Sequence, residues 1–161
     1  MHVSISTADA TSSAQPLGVG IATDLSDLEL SFRTAMVALR LADPGSVSRA
    51  DDLGGLAEVL ADAPATARPD RDESAVAQLV EAHPWAPSTL DTLIRAGSVR
   101  EAARLAGIHH STMTTRVAVI ADELGFPPLD GLGRARLAIA VMRQRIRSSR
   151  ALELPTPHHA G

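Results

Sequence analysis

Cysteine, lysine and tyrosine are missing from this 161-residue chain, and Phe32, Trp85 and Phe126 are its only aromatic residues. Without cysteine there is no disulfide framework and no thiolate to act as nucleophile or metal ligand, which suits a reducing compartment. With so few aromatics the core must be aliphatic, and a hydrophobic fraction of 45% is enough to build one. The N-terminus shows no basic segment followed by an apolar run, so no signal peptide is expected. The longest uninterrupted apolar run, Leu137–Met142, falls far short of the roughly 20 residues that span a bilayer. These absences predict a soluble, cytoplasmic protein with no membrane partner. All fifteen basic residues are arginine, a bias that reads as a GC-rich bacterial genome rather than as function.

What is present is organised around Ser98–Gly125, SVREAARLAGIHHSTMTTRVAVIADELG. Ser98 and Glu101 have the S-x-x-E spacing of a capping box. The helix they open has an apolar stripe of Val99, Ala102, Ala103 and Leu105. Gly107 follows, where a left-handed residue ends a helix without a Cβ clash, and Ile108 is the apolar plug after the turn. His109–Thr112 open a second helix whose core face is Met113, Val117, Ile120 and Leu124, at steps of four, three and four. Gly125, Pro127 and Pro128 stop it. Small alanines, a turn glycine and an apolar residue after it let two helices cross at close range. That is helix-turn-helix geometry, in which the second helix enters the major groove of DNA. A plain helical hairpin in an all-α core would share much of this pattern.

The formal net charge of −4 hides an asymmetry. Residues 1–73 carry five Arg and twelve acidic residues, a net of −7, whereas residues 74–150 carry ten Arg and six acidic residues, a net of +4. The positive surplus lies on the segment holding the two helices, as neutralisation of phosphates requires.

This segment resembles the C-terminal helix-turn-helix domain of PucR-type (CdaR-like) transcription regulators, a cousin of Fis-like domains. The resemblance rests on Ala96-Gly97-Ser98-Val99, Ala102-Ala103-Arg104-Leu105, Ile108-His109-His110-Ser111-Thr112, Arg116-Val117, Ile120, Glu123-Leu124-Gly125 and the later Gly133–Ala140. Upstream, Ala82-His83-Pro84-Trp85 and Thr89-Leu90 fit the helix leading into the domain, so the likeness covers about residues 74–147. Where the family often has basic residues and a tyrosine, this chain has Thr114, Thr115, Ala118 and Val119. The resemblance implies a mainly α fold, with a helix-turn-helix bundle preceded by a small α+β remnant.

Taken in order, residues 1–16 read as a frayed tail, with a weak alternation at Val3 and Ile5. Leu17–Ala22 reads as a short strand; its Gly18 and Gly20 lack the continuation and the lysine of a phosphate loop. Ser26 and Glu29 suggest a second capping box, opening a helix to about Ala42 with Leu28, Phe32, Ala35, Met36 and Leu39 buried. Asp43-Pro44-Gly45 ends it. Val47 and Arg49 suggest a strand, and a brief helix runs from Asp52 to about Ala61, with Asp51 and Asp52 as caps. Residues 17–62 resemble the end of the GGDEF-like domain of the same regulators, through Gly18–Ala22, Ser31-Phe32-Arg33-Thr34-Ala35, Ala38-Leu39 and Asp51-Asp52-Leu53-Gly54. No acidic GG[DE]EF loop is present to hold metal and phosphates, so no cyclase chemistry is expected. Such a remnant buries little apolar surface alone and must pack on something.

Residues 63–73 form the natural linker. A helix from about Ser74 to His83 follows, ended by Pro84 and Pro87. Ser88 is expected to cap the next helix, with Leu90, Leu93 and Ile94 inward and Trp85 a packing anchor. After the helix-turn-helix, a last helix runs from about Arg134 to Arg147, with Leu137, Ala140, Val141 and Ile146 inward. Its Arg136, Arg143, Arg147 and Arg150 suit a solvated face or phosphate contact equally. Residues 151–161, with His158 and His159, read as a second tail.

A recognition helix reads bases with its first turns. The outward residues are His110, Ser111, Thr112, Thr114 and Thr115, with His109 at the start and Ala118 further along. Their hydroxyl and imidazole groups hydrogen-bond base edges, and threonine methyls touch thymine methyls. Arg116, the only cation on this helix, is assigned to a phosphate. Ser98 and Arg100, at the start of the preceding helix, complete the DNA-facing set through helix N–H groups and charge. No further ligands are spaced to make a zinc site with His109 and His110, and Asp122 is too far along the helix for a triad with Ser111 and His110. The expectation is therefore a sequence-specific transcription regulator, not an enzyme, with no cofactor. Its partners would be double-stranded DNA and a second copy of itself; the sequence does not identify a small-molecule effector. The rival is a degenerate helix-turn-helix that binds a partner protein.

Overall fold

The computed structural model describes residues 16–63 and 68–152. Both expected tails, apart from Pro16, Ala151 and Leu152, lie outside the described residues. So do Val3, Ile5, His158, His159 and residues 64–67 of the expected linker. The fold is mainly α. The chain forms two compact units, one comprising residues up to Ala67 together with Arg145 onwards, the other Arg68–Gln144.

The first unit opens with β1 (Leu17–Val19), followed by a 3₁₀ turn at Leu25–Asp27, α1 (Leu28–Leu41) and β2 (Val47–Arg49). β1 and β2 run parallel, with Leu17 opposite Val47 and Val19 opposite Arg49. Parallel neighbours need a crossover, and α1 supplies it. A second 3₁₀ turn, Ala50–Leu53, leads into α2 (Gly55–Ala61). Gly18 and Gly20 have a packing role: a Cβ on Gly18 would lie 2.3 Å from Ala35 O, and one on Gly20 2.0 Å from Ser31 O. Strand and helix backbones thus touch. Thr34, fully buried, accepts from Ile21 N at 3.1 Å and donates to Leu30 O at 2.8 Å. The core here is small, with Ala38, Ala50 and Ala57 at its centre and Ile21 and Leu53 against them.

Three expectations for this unit are corrected. Ser26 and Glu29 form no capping box, because Asp27 N bonds Asp24 O in the 3₁₀ turn and α1 starts after it, with no side-chain cap. The buried face of α1 is Thr34, Val37 and Ala38, whereas Leu28 and Phe32 are 39% and 45% exposed. Leu28 and Phe32 lie off the buried face, whereas Ala35, Met36 and Leu39 are half-buried, and the backbone at Ser31, Ala35 and Leu39 meets Gly18 and Gly20. Asp51 and Asp52 lie exposed in the 3₁₀ turn and cap nothing; α2 begins after Gly54, at φ 54°.

The second unit contains α3 (Arg71–Ala82), α4 (Ala86–Arg95), α5 (Val99–Ala106), α6 (His110–Leu124) and most of α7 (Gly131–Ser148). Its core is aliphatic as composition requires: Val76, Leu79, Leu90, Leu93, Met113, Ile120, Leu124 and Leu137 are all at most 1% exposed. α3 starts three residues before the expected Ser74, inside the stretch read as linker. Asp70 caps it by accepting from Glu73 N at 2.8 Å. Ser88 is not a cap; it sits in the first turn of α4 and donates to Trp85 O at 3.2 Å, with Pro87 beside it where its missing N–H costs nothing. α7 begins at Gly131, so Gly133 lies within it, where a Cβ would be 2.0 Å from Pro127 O. Among the described residues no helix is long and apolar enough to cross a membrane.

Candidate nucleic-acid interface

The turn between α5 and α6 is built as its residues dictate. Ser98 Oγ accepts from Glu101 N at 3.2 Å, and the Glu101 carboxylate accepts from Gly97 N at 2.7 Å. This is a capping box whose return bond lands one residue early. α5 ends in a Schellman motif: Ile108 N bonds Ala103 O at 3.1 Å, Gly107 N bonds Arg104 O at 3.3 Å, and Gly107 has φ 64° and ψ 29°. Ala102 and Ala103 are buried, with Val99, Ala106 and Ile108 packed against the same core. Leu105 is 48% exposed, against expectation. The steps from Ala102 and Ala103 to Ala106 define the inner face, and Leu105 falls off it.

α6 then packs by Met113, Ile120 and Leu124, all buried, with Val117 half-buried. His109 is its N-cap: Nδ1 accepts from Ser111 N at 3.2 Å and lies 2.7 Å from Ser111 Oγ. A backbone N–H only donates, so Nδ1 accepts and the ring proton sits on Nε2. His109, His110, Ser111, Thr112, Thr114, Thr115 and Ala118 are all exposed. Thr114 Oγ1 donates to His110 O at 2.9 Å and Thr115 Oγ1 to Ser111 O at 3.1 Å. The structure thus presents the expected polar set on one helix.

Arg116 departs from it. Its Nη1 donates to Thr89 Oγ1 at 3.1 Å, and its guanidinium lies 5.1 Å from the Trp85 ring centroid. Trp85 in turn stacks on His83, centroids 4.8 Å apart. Through these contacts Arg116 braces α6 against α4. Trp85 is the anchor expected of it, and the cation–π contact explains why an aromatic stands there.

At the start of α5, Ser98 and Glu101 satisfy two backbone donors, Glu101 N and Gly97 N, and the Glu101 carboxylate adds negative charge. Arg100, expected on this face, is exposed, as are Arg104 on α5 and Arg95 at the end of α4. The role of Arg104 was legible only as its i+4 spacing from Arg100 on a polar face; Arg95, at the end of α4, gave no such signal. Arg134 was likewise missed: its guanidinium donates to Ala96 O at 2.6 Å, Gly97 O at 3.2 Å and Leu129 O at 3.1 Å. It thereby fixes the α4–α5 loop and the angle at which α5 starts.

On α7, Arg136 and Arg143 turn to acidic partners at α3. Arg136 makes a bidentate pair with Asp72, both bonds 2.8 Å, and lies 3.8 Å from the Phe126 ring centroid. Arg143 pairs with Asp70 at 2.9 Å. The Arg136 hydrogen bonds hold the Asp72 carboxyl below the ordinary carboxylate range, against a smaller opposing effect of burial.

Residues 88–142, from within α4 to within α7, match the PucR C-terminal helix-turn-helix domain. The match lies wholly in the second unit. No curated protein and no solved structure matches the chain.

Proposed function

We propose that the protein is a sequence-specific, DNA-binding transcription regulator of PucR type, without catalytic activity of its own. The observation that carries this reading is the α5–Gly107–α6 arrangement, with His109, His110, Ser111, Thr112, Thr114 and Thr115 exposed together on α6. α6 enters the major groove with these residues against base edges. Arg95, Arg100 and Arg104 neutralise flanking phosphates, with Ser98 and Arg134 holding α5 at the required angle. The protein acts as a dimer, because one such module reads a short half-site and paired half-sites multiply affinity. The first unit is a GGDEF-like segment, a reading supported by its β1–α1–β2 parallel crossover.

A partner-protein role remains the second reading, favoured by one observation: the only cation of α6, Arg116, is turned inward. Selection of bound fragments from a random duplex pool, followed by binding at two salt concentrations, separates the two. Replacing both Arg100 and Arg104 by alanine is expected to weaken selected and random DNA alike and to flatten the log–log salt dependence by about one unit per lost contact. His110→Ala with Ser111→Ala is expected to shrink the preference for the selected sequence instead. A parent protein with no preference for any sequence at moderate salt defeats the regulator reading.

A further inference from the structure

The outward face of α6 carries no Lys, Arg, Asn or Gln, the residues that make bidentate contacts to guanine or adenine. Its one arginine is engaged with Thr89 and Trp85. What the face does carry follows from the hydrogen bonds. A threonine whose hydroxyl proton is spent on the carbonyl four residues back cannot donate it to a base without leaving that bond. Thr114 and Thr115 both make this bond, at 2.9 and 3.1 Å. Each therefore presents its Cγ2 methyl as the outward apolar group, with the oxygen left only as an acceptor. Ala118, also exposed, adds a third methyl. At about 100° per residue it falls between Thr114 and Thr115 in angle, one turn further along. The rise of roughly 6 Å between Thr114 and Ala118 compares with about 3.4 Å per base step.

We propose, resting on the DNA-binding reading above, that α6 recognises thymine C5-methyl groups in the major groove through the methyls of Thr114, Thr115 and Ala118. Specificity at these positions is apolar, with the threonine oxygens limited to accepting from an adenine N6 or cytosine N4 amino group. An outward donor fixed by geometry is His109 Nε2–H, at the start of the helix, because Nδ1 accepts from Ser111 N. It suits a phosphate oxygen or a guanine acceptor beside the thymines.

The test uses the full chain and the duplex it selects from a random pool. Each thymidine is replaced in turn by deoxyuridine, which lacks only the methyl group. A methyl buried at the interface is worth about four-fold in affinity, so one to three adjacent positions are expected to lose roughly that factor. Thr114→Ser and Thr115→Ser keep the hydroxyl and the helix and remove the protein methyl. In each variant the deoxyuridine penalty is expected to vanish at the position that threonine reads and to persist elsewhere. A duplex selected with clear preference but indifferent to deoxyuridine at every position overturns the inference and leaves the regulator reading standing. Penalties that survive unchanged at every sensitive position in both serine variants and in Ala118→Gly also overturn it. A parent that selects no sequence defeats the regulator reading and this inference with it.

Discussion

Replacing Gly107 measures what the left-handed turn contributes. A Cβ placed there meets nothing within 4 Å, so the site has room for a side chain. The cost is therefore one of backbone conformation alone. At φ 64° and ψ 29° an L-residue brings its Cβ against its own carbonyl oxygen, at ~1–2 kcal/mol. Gly107→Ala is expected to cost that amount, Gly107→Asn less, because asparagine tolerates this region, and Gly107→Val more, because branching at Cβ is worst there. For a domain of this size each kcal/mol lowers Tm by about 4–8 °C, so the alanine variant should melt some 4–16 °C lower. Chemical denaturation of the second unit's transition, read by circular dichroism, gives the free energies in that order. A valine variant that melts with the parent refutes the turn geometry. An alanine variant losing more than about 4 kcal/mol means that a steric clash, not backbone strain, sets the cost.

Two further outcomes test the packing. Gly133 lies inside α7, where alanine ordinarily adds about 1 kcal/mol through helix propensity; Gly133→Ala is nevertheless expected to destabilise, and more than Gly107→Ala, because its Cβ would stand 2.0 Å from Pro127 O. A rise in Tm would show that Gly133 does not lie against the Pro127 carbonyl. Asp72 is held below its ordinary range by Arg136, so its pairing stabilises the fold above about pH 4, the unfolded-state value, and is lost as pH falls through the lower folded-state value. The Tm difference between the parent and Asp72→Asn is expected to be full at pH 7 and to close below about pH 4. A gap unchanged down to pH 2.5 removes the ion pair as its cause.

Much of the second unit was legible in sequence because local rules agree there with tertiary packing. The Ser98–Glu101 box, the glycine at the end of α5 and the 4-3-4 spacing on α6 each act within a turn or two of chain. Their geometry needs no distant partner. The first unit was less legible because the decisive contact is between elements. Close backbone approach at Gly18 and Gly20 helps set which face of α1 meets β1, and Phe32, which period alone places inward, is 45% exposed. Nothing in the spacing of Leu28 and Phe32 carries that information.

The arginines show the same division at the candidate site. By itself the sequence determined that cations are concentrated on residues 74–150 and that α6 has only Arg116. It also determined that the outward residues of α6 are histidines, a serine, threonines and an alanine. Only the tertiary structure decided what each charge is for. Arg116 lies on Trp85 and Thr89, Arg134 on the carbonyls before α5, and Arg136 and Arg143 on Asp72 and Asp70. A guanidinium on a flexible stem reaches several ångströms in any direction, and periodicity specifies which face a residue occupies but not which partner its far end meets. The threonines obey the opposite logic. Their hydroxyls bond the helix's own backbone four residues back, a contact set by helix geometry alone, so the methyl-bearing surface of α6 was encoded locally from the start.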